Sequence, residues 1–210
     1  EEALLRRRYR SCWPLTLLLW VTLGAGAAAE EPKAPVAPAL KVGQLAPSFL
    51  LKAINPQQGG MPLLSTKKVM GSRAKDRKAA VVLSFGAWYC GPCKKELPEL
   101  KKLAERCRDK SVLVVEVLMD KEPEHLESMR KLTVDELALP FPVLHDRFGI
   151  VARRYGAIEL PHVVVIDGDG IVRWIHSGFS PDGIKRLNQT VDAVLAAAAP
   201  TPQDPPKKGK

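Results

Sequence analysis

Two uninterrupted apolar runs, Ala79–Phe85 (AAVVLSF) and Val112–Leu118 (VLVVEVL), constrain the fold of this chain more than any other feature. Runs of this kind and length predict strands buried on both faces. Between them, Lys94–Arg108 places Leu97, Leu100, Leu103, Ala104 and Cys107 at helical spacing. Two strands joined by such a crossover run parallel. Further along, Leu126, Met129, Leu132 and Val134 predict a helix over Glu122–Leu137, with Glu122 and Glu124 favouring its first turn. Arg147–Tyr155 predicts a short helix ended near Gly156. His162–Ile166 and Ile171–His176 predict strands joined through Asp167-Gly-Asp-Gly, a hairpin turn. Pro181–Ala199 predicts a closing helix with Ile184, Leu187, Val191, Val194 and Leu195 on one face. The expected fold class is therefore α/β, a mixed central sheet of four to five strands with helices on both faces.

The N-terminus carries a different signal. Arg6, Arg7, Arg8 and Arg10 precede the apolar run Trp13–Leu23, and GAGAAAEEP follows, with small residues at Ala27 and Ala29 before Glu30. This is the pattern of an export signal peptide. The apolar run is short of the roughly 20 residues that span a bilayer. Cleavage is the first reading, and an uncleaved membrane anchor using Leu15–Ala29 is the second. Either way the positive flank stays inside and the rest is sent outward, to the periplasm or another extracytoplasmic space. Residues 1–29 are thus signal peptide or anchor, and 30–41 (EEPKAPVAPALK) form a Pro/Ala-rich linker. Residues 42–199 form the domain, and 200–210 (PTPQDPPKKGK) a disordered tail. The formal charge of +9 is spread along the chain without basic–aromatic interleaving, so nucleic acid is not an expected partner.

Loss of residues 1–29 leaves Cys90, Cys93 and Cys107, an odd number that argues against a disulfide-stapled scaffold. Cys90 and Cys93 lie in FGAWYCGPCKKELPEL, after the first strand and at the start of the helix. Pro92 suits a first helical turn. Unpaired N–H groups and the helix dipole there stabilise a thiolate at Cys90. Cys93, one turn further in, is placed to close a disulfide behind it. A structural zinc needs a second pair of ligands, haem attachment needs His where Lys94 stands, and a purely structural disulfide would close a tiny loop. Glu96, one turn beyond Cys93, is either a dipole partner or a proton carrier for the buried thiol. Pro161, just before the strand at His162, predicts either a cis Leu160–Pro161 bond or an ordinary trans proline ending a loop. Cys107 reads as a small buried hydrophobe. His125, His145 and His176 read as surface or structural, and Asp167 and Asp169 lack the later ligands of a calcium loop.

FGAWYCGPCKKELPEL, YGAIELPHVVVIDGDGIVRWIHSG and the VGQLAPSFLL near Val42 together resemble the thioredoxin superfamily, in particular the exported TlpA/ResA-type thiol–disulfide oxidoreductases. The likeness covers about residues 42–197. It implies a thioredoxin fold with an N-terminal extension, and a redox-active Cys90–Cys93 disulfide in place of any bound cofactor or metal. It implies that Cys90 attacks, Cys93 resolves, Glu96 is the active-site carboxylate and Pro161 is a cis-proline facing the pair. Leu160 would pair its backbone with substrate peptides, beside Trp88 and Tyr89. Expected partners are protein disulfide or dithiol substrates, apocytochrome c among them, and a membrane electron donor. The Gly-Pro between the cysteines leans toward a reductant. Three positions depart from the pattern: Ser84 stands where cytoplasmic thioredoxins bury an Asp, Tyr89 replaces the usual Trp, and His162 replaces the usual Thr. An imidazole at 162 reads first as a strand histidine satisfied by hydrogen bonds; the other readings are a modulator of the thiolates or, with Cys90 and Cys93, a ligand of a soft metal such as copper. The alternative activity is therefore a copper-handling protein. A peroxiredoxin is disfavoured, because Pro-x-x-x-Thr-x-x-Cys is absent.

Overall fold

The computed structural model describes residues 40–198. The expected signal or anchor, the linker up to residue 39 and the tail from 199 lie outside the described residues. Among the described residues no helix is long and apolar enough to cross a membrane.

The two apolar runs form the centre of a five-stranded sheet. They are β3 (Ala80–Gly86) and β4 (Val112–Leu118), parallel and joined by α2 (Gly91–Arg106). Ahead of them a hairpin of β1 (Leu50–Lys52) and β2 (Leu63–Ser65) leads into a single turn, α1 (Thr66–Val69). After β4 come α3 (Pro123–Arg130), β5 (Val143–His145), α4 (Ile150–Tyr155), β6 (His162–Asp167), β7 (Val172–Ser177) and α5 (Pro181–Ala198). The order across the sheet is β5-β4-β3-β6-β7, with β5 parallel to β4 and β6 and β7 antiparallel to their neighbours.

Side chains alternate along each strand, so the sheet has two cores. On one face Val81, Leu83, Phe85, Val115, Val117, Val164 and Ile166 meet α1, the β1–β2 hairpin and the Val151, Ala152 and Tyr155 side of α4. On the other, Ala80, Val82, Val114, Leu118, Val163 and Val165 are covered by α2 and α5, with Met129 of α3. The β6–β7 turn is stapled by Asp167, whose Oδ1 accepts from the Asp169 and Ile171 N–H groups and whose Oδ2 accepts from Arg173 Nε. Gly170 supplies the left-handed residue, φ +88°.

Two sequence expectations change. The helix over 122–137 is α-helical only through Arg130 and continues as a π-helix over Lys131–Glu136. The buried Thr133 hydroxyl donates to the Met129 carbonyl at 2.7 Å, taking an acceptor of the α ladder. The ladder widens there, and the Leu137 N–H reaches the Leu132 carbonyl. The elements β1, β2, α1 and β5 are three or four residues each, too short for periodicity to register.

Candidate active site

Cys90 is the N-cap of α2. Its backbone is extended (φ −84°, ψ 94°), its N–H donates to the Ala87 carbonyl, and its sulfur accepts the Cys93 N–H at 3.1 Å. Cys90 and Cys93 are disulfide-bonded, with Cα atoms 5.3 Å apart. Both sulfurs are tucked in: Cys90 is 6 % exposed and Cys93 2 %. The expected contrast between an exposed and a buried thiol is therefore slight in this bonded state.

Under the disulfide lies a group of buried polar side chains. Ser84 on β3 donates its hydroxyl to Glu96 Oε2 at 3.0 Å. Burial raises the Glu96 carboxyl from 4.5 to about 7, the Ser84 hydrogen bond opposing. Glu116 on β4 pairs with Ser84 across the β3–β4 register. Its carboxyl is pushed well above the usual carboxylate range by burial, then by the charge of Glu96. Asp120, at the end of β4, accepts the Trp88 N–H at 2.9 Å and so ties down the loop that leads into the cysteines. Sequence reasoning passed over Glu116 and Asp120. The signal for Glu116 was present, as the one charged residue in VLVVEVL.

The Leu160–Pro161 bond is cis. The Pro161 carbonyl accepts the Gly178 N–H at 2.8 Å, and the Leu160 side chain packs on the α4 face of the sheet. Among the described residues no hydrogen bond takes up the Leu160 N–H or carbonyl. His162 is a buried strand residue at the start of β6. It pairs with Phe85 across β3–β6, and the two rings share the α4 face, 6.1 Å apart. The sulfurs and α2 are on the opposite face. Its Nδ1 is 2.9 Å from Ser177 Oγ and its Nε2 has no partner. Burial pushes the imidazole below the ordinary histidine range. Among the described residues no three His, Cys, Asp or Glu side chains are placed to hold a metal ion.

The rim of the site is aromatic and basic. Trp88 stacks flat on His125 (4.4 Å, 4°) and carries Lys94 Nζ 5.3 Å from its ring centroid. Tyr89 is 72 % exposed. His125, read as surface or structural, is thus the backing of the Trp88 wall. His145 Nε2 meets the Asp120 carbonyl at 2.8 Å, and Cys107 is buried at the end of α2. A cleft lined by Arg77, Asp169, Arg173, Trp174 and Arg186 lies at the other end of the sheet, where β3 begins.

Comparison with known proteins agrees with this geometry. The AhpC/TSA family profile matches residues 42–175. The thioredoxin-like protein YneN of Bacillus subtilis is 30% identical over 153 residues, 73% of this chain and 80% of that one. The thiol-disulfide oxidoreductase ResA of Oceanobacillus iheyensis is 32% identical over 138 residues, 66% of each chain. Among solved structures, a Chlorobium tepidum protein provisionally named thiol:disulfide interchange protein DsbE superposes with a TM-score of 0.63 at 26% identity, over 75% of this chain and 99% of that one.

Proposed function

Because the chain belongs to the AhpC/TSA family of thioredoxin-like proteins, we propose that this thiol–disulfide oxidoreductase is exported and reduces protein disulfides by exchange through Cys90 and Cys93. The observation that carries the reading is the Cys90 sulfur at the N-cap of α2, within hydrogen-bond reach of the Cys93 N–H. An N-cap sulfur is stabilised as a thiolate by the unpaired N–H groups and dipole of the helix.

In the reduced protein the Cys90 thiolate attacks one sulfur of a substrate disulfide. The Cys90–substrate bond forms, the substrate S–S bond breaks, and the second substrate sulfur leaves as thiolate and is protonated. Cys93 then gives its proton to a carboxylate, attacks the Cys90 sulfur and releases the first substrate sulfur. Two electrons pass to the substrate and the protein is left as the Cys90–Cys93 disulfide. Glu96 is the carboxylate that takes the Cys93 proton. The free N–H and carbonyl of Leu160, held by the cis Pro161, serve to pair with an extended substrate segment. Trp88 and Tyr89 flank that segment with apolar surface. Export rests on the Arg-led apolar segment within residues 1–29. An exported reductant must be recharged, so a membrane electron donor is a partner, and apocytochrome c is a substrate of the right chemistry.

Reduction of insulin by dithiothreitol tests the exchange step. The wild type accelerates it and Cys90→Ser does not; equal rates would refute the reading. Titration against defined redox buffers tests direction: a potential near about −270 mV fits a reductant, and one near about −120 mV an oxidant.

A further inference from the structure

Exchange requires Cys93 to lose a proton in a place water does not reach, and later to regain it. Glu96 is one group suited to that work. Glu116 is a second carboxyl at the same place, and the sheet has no structural need of it. Its neighbours along β4 are Val114, Val115, Val117 and Leu118, and its partner on β5 is Val143. A hydrophobic side chain would pack there. Glu116 is instead 1 % exposed, with Oε2 unpartnered. A buried carboxyl with one oxygen unpartnered and only the shared Ser84 hydroxyl beside it is a net loss to the folded state, so its presence points to chemistry.

The geometry ties it to Cys93. Ser84 and Gly86 lie on the α2 face of β3, and Ser84 stands beside Glu116 in the register. A methyl group on Gly86 would overlap Glu116 Oε1 and come within 3.4 Å of Cys93 Cβ and 3.7 Å of Cys93 Sγ. Carboxyl and sulfur therefore face each other across the space that a glycine leaves open. The groups facing Glu116 are Cys93 and Glu96 from α2, Ser84 from β3 and Asp120 from the end of its own strand.

We propose that Glu116 is a proton-holding residue of the exchange reaction, forming with Glu96 and the Ser84 hydroxyl a carboxyl pair that accepts the Cys93 proton and returns it. The proposal rests on the exchange reading above. As Cys93 attacks the mixed disulfide, its S–H proton moves to a carboxylate of the pair, the Cys90–Cys93 bond forms, and the substrate thiolate leaves with the electron pair of the broken bond. When an incoming dithiol reopens the disulfide, the proton goes back to Cys93. Two carboxyls so close do not both ionise readily, so the pair retains one proton and exchanges the other. Glu96, raised by burial to about 7, is the member that empties and fills near neutrality, while burial and the Glu96 charge keep the Glu116 carboxyl protonated well above the usual carboxylate range.

The test is the pH profile of Cys93 alkylation by iodoacetamide in the reduced full chain carrying Cys90→Ser. Mass analysis of the Cys93 peptide keeps Cys107 out of the signal. In the parent the pair becomes negative as pH rises and opposes the thiolate. Once Glu116 also gives up its retained proton its charge adds to that opposition; Glu116→Gln removes that second charge, so the alkaline part of the profile moves down by about one pH unit, a roughly tenfold gain in thiolate there. Glu116→Val, which suits the apolar strand, shifts it the same way and serves if Gln impairs folding. Folded variants whose profiles coincide with the parent overturn the proposal. The two readings fail separately: no Cys90-dependent insulin reduction sinks the exchange mechanism, whereas intact insulin reduction with coincident Cys93 profiles removes Glu116 alone.

Discussion

Glu96→Gln separates what the site does from its effect on stability. Glu96 is 2 % exposed, and burial raises its carboxyl from 4.5 to about 7. An acid whose folded pKa exceeds its unfolded one holds its proton more tightly in the folded state. Below about pH 4.5 it is protonated in both states and has no effect on pH dependence. Between 4.5 and 7 the unfolded chain releases a proton that the folded chain keeps, so stability falls as pH rises. Above 7 the folded protein carries a buried carboxylate and the whole penalty is present, about 3 kcal/mol for that displacement. Gln has the same shape, its amide oxygen accepts the Ser84 hydroxyl, and it does not ionise. The variant should match the wild type at pH 4 and exceed it at pH 8 by up to about 3 kcal/mol, roughly 6–12 °C in Tm for a domain of this size. Calorimetry at pH 4, 6 and 8 with the disulfide intact measures this. The same variant should lose at least tenfold in insulin reduction, as removal of a general base predicts. A stability difference that is constant across pH, or a variant less stable than the wild type at pH 8, would refute the argument.

Three further outcomes follow from the packing. Gly86→Ala drives a methyl into the Glu116 carboxyl, which costs about 1–3 kcal/mol and slows resolution, seen as Cys90-linked substrate accumulating on non-reducing gels. Tyr155→Phe loses the hydroxyl that donates to the Pro47 carbonyl at 2.6 Å and should cost about 1 kcal/mol in urea unfolding. Asp146→Ala frees the Ile150 and Ala152 N–H groups at the start of α4; a loss of about 1–2 kcal/mol is expected, with the alkylation kinetics of Cys90 unchanged.

What the sequence made legible follows from how each element is stabilised. The central strands, α2 and the β6–β7 hairpin are set by composition and period, and AAVVLSF and VLVVEVL fall on β3 and β4 nearly residue for residue. Elements held only by tertiary partners were invisible. The β1–β2 hairpin exists because Leu64 and Phe49 pack on the sheet, and β5 because β4 offers it an edge. In the site, Cys90 and Cys93 were legible because their spacing and helix-start context are local. Glu116 was not, since its meaning depends on which strand face meets α2. Asp120 matters through a bond to a backbone N–H across a loop.

His162 shows how far one register decides the chemistry. Antiparallel pairing of β3 with β6 sets Phe85 opposite His162, which brings the cis Leu160–Pro161 step alongside Gly86 and the start of the cysteine loop. Side chains alternate faces along a strand, so this pairing commits His162 to the Phe85 and Tyr155 side and keeps Ser84 under α2. A slip of one residue would turn His162 onto the sulfurs' face and carry Pro161 away from them. It would also take Val163 and Val165 out of the core beneath α2 and α5 and set Val164 and Ile166 there in their place. The two carboxyls beside Cys93 are the polar groups that the selected register leaves facing the reaction.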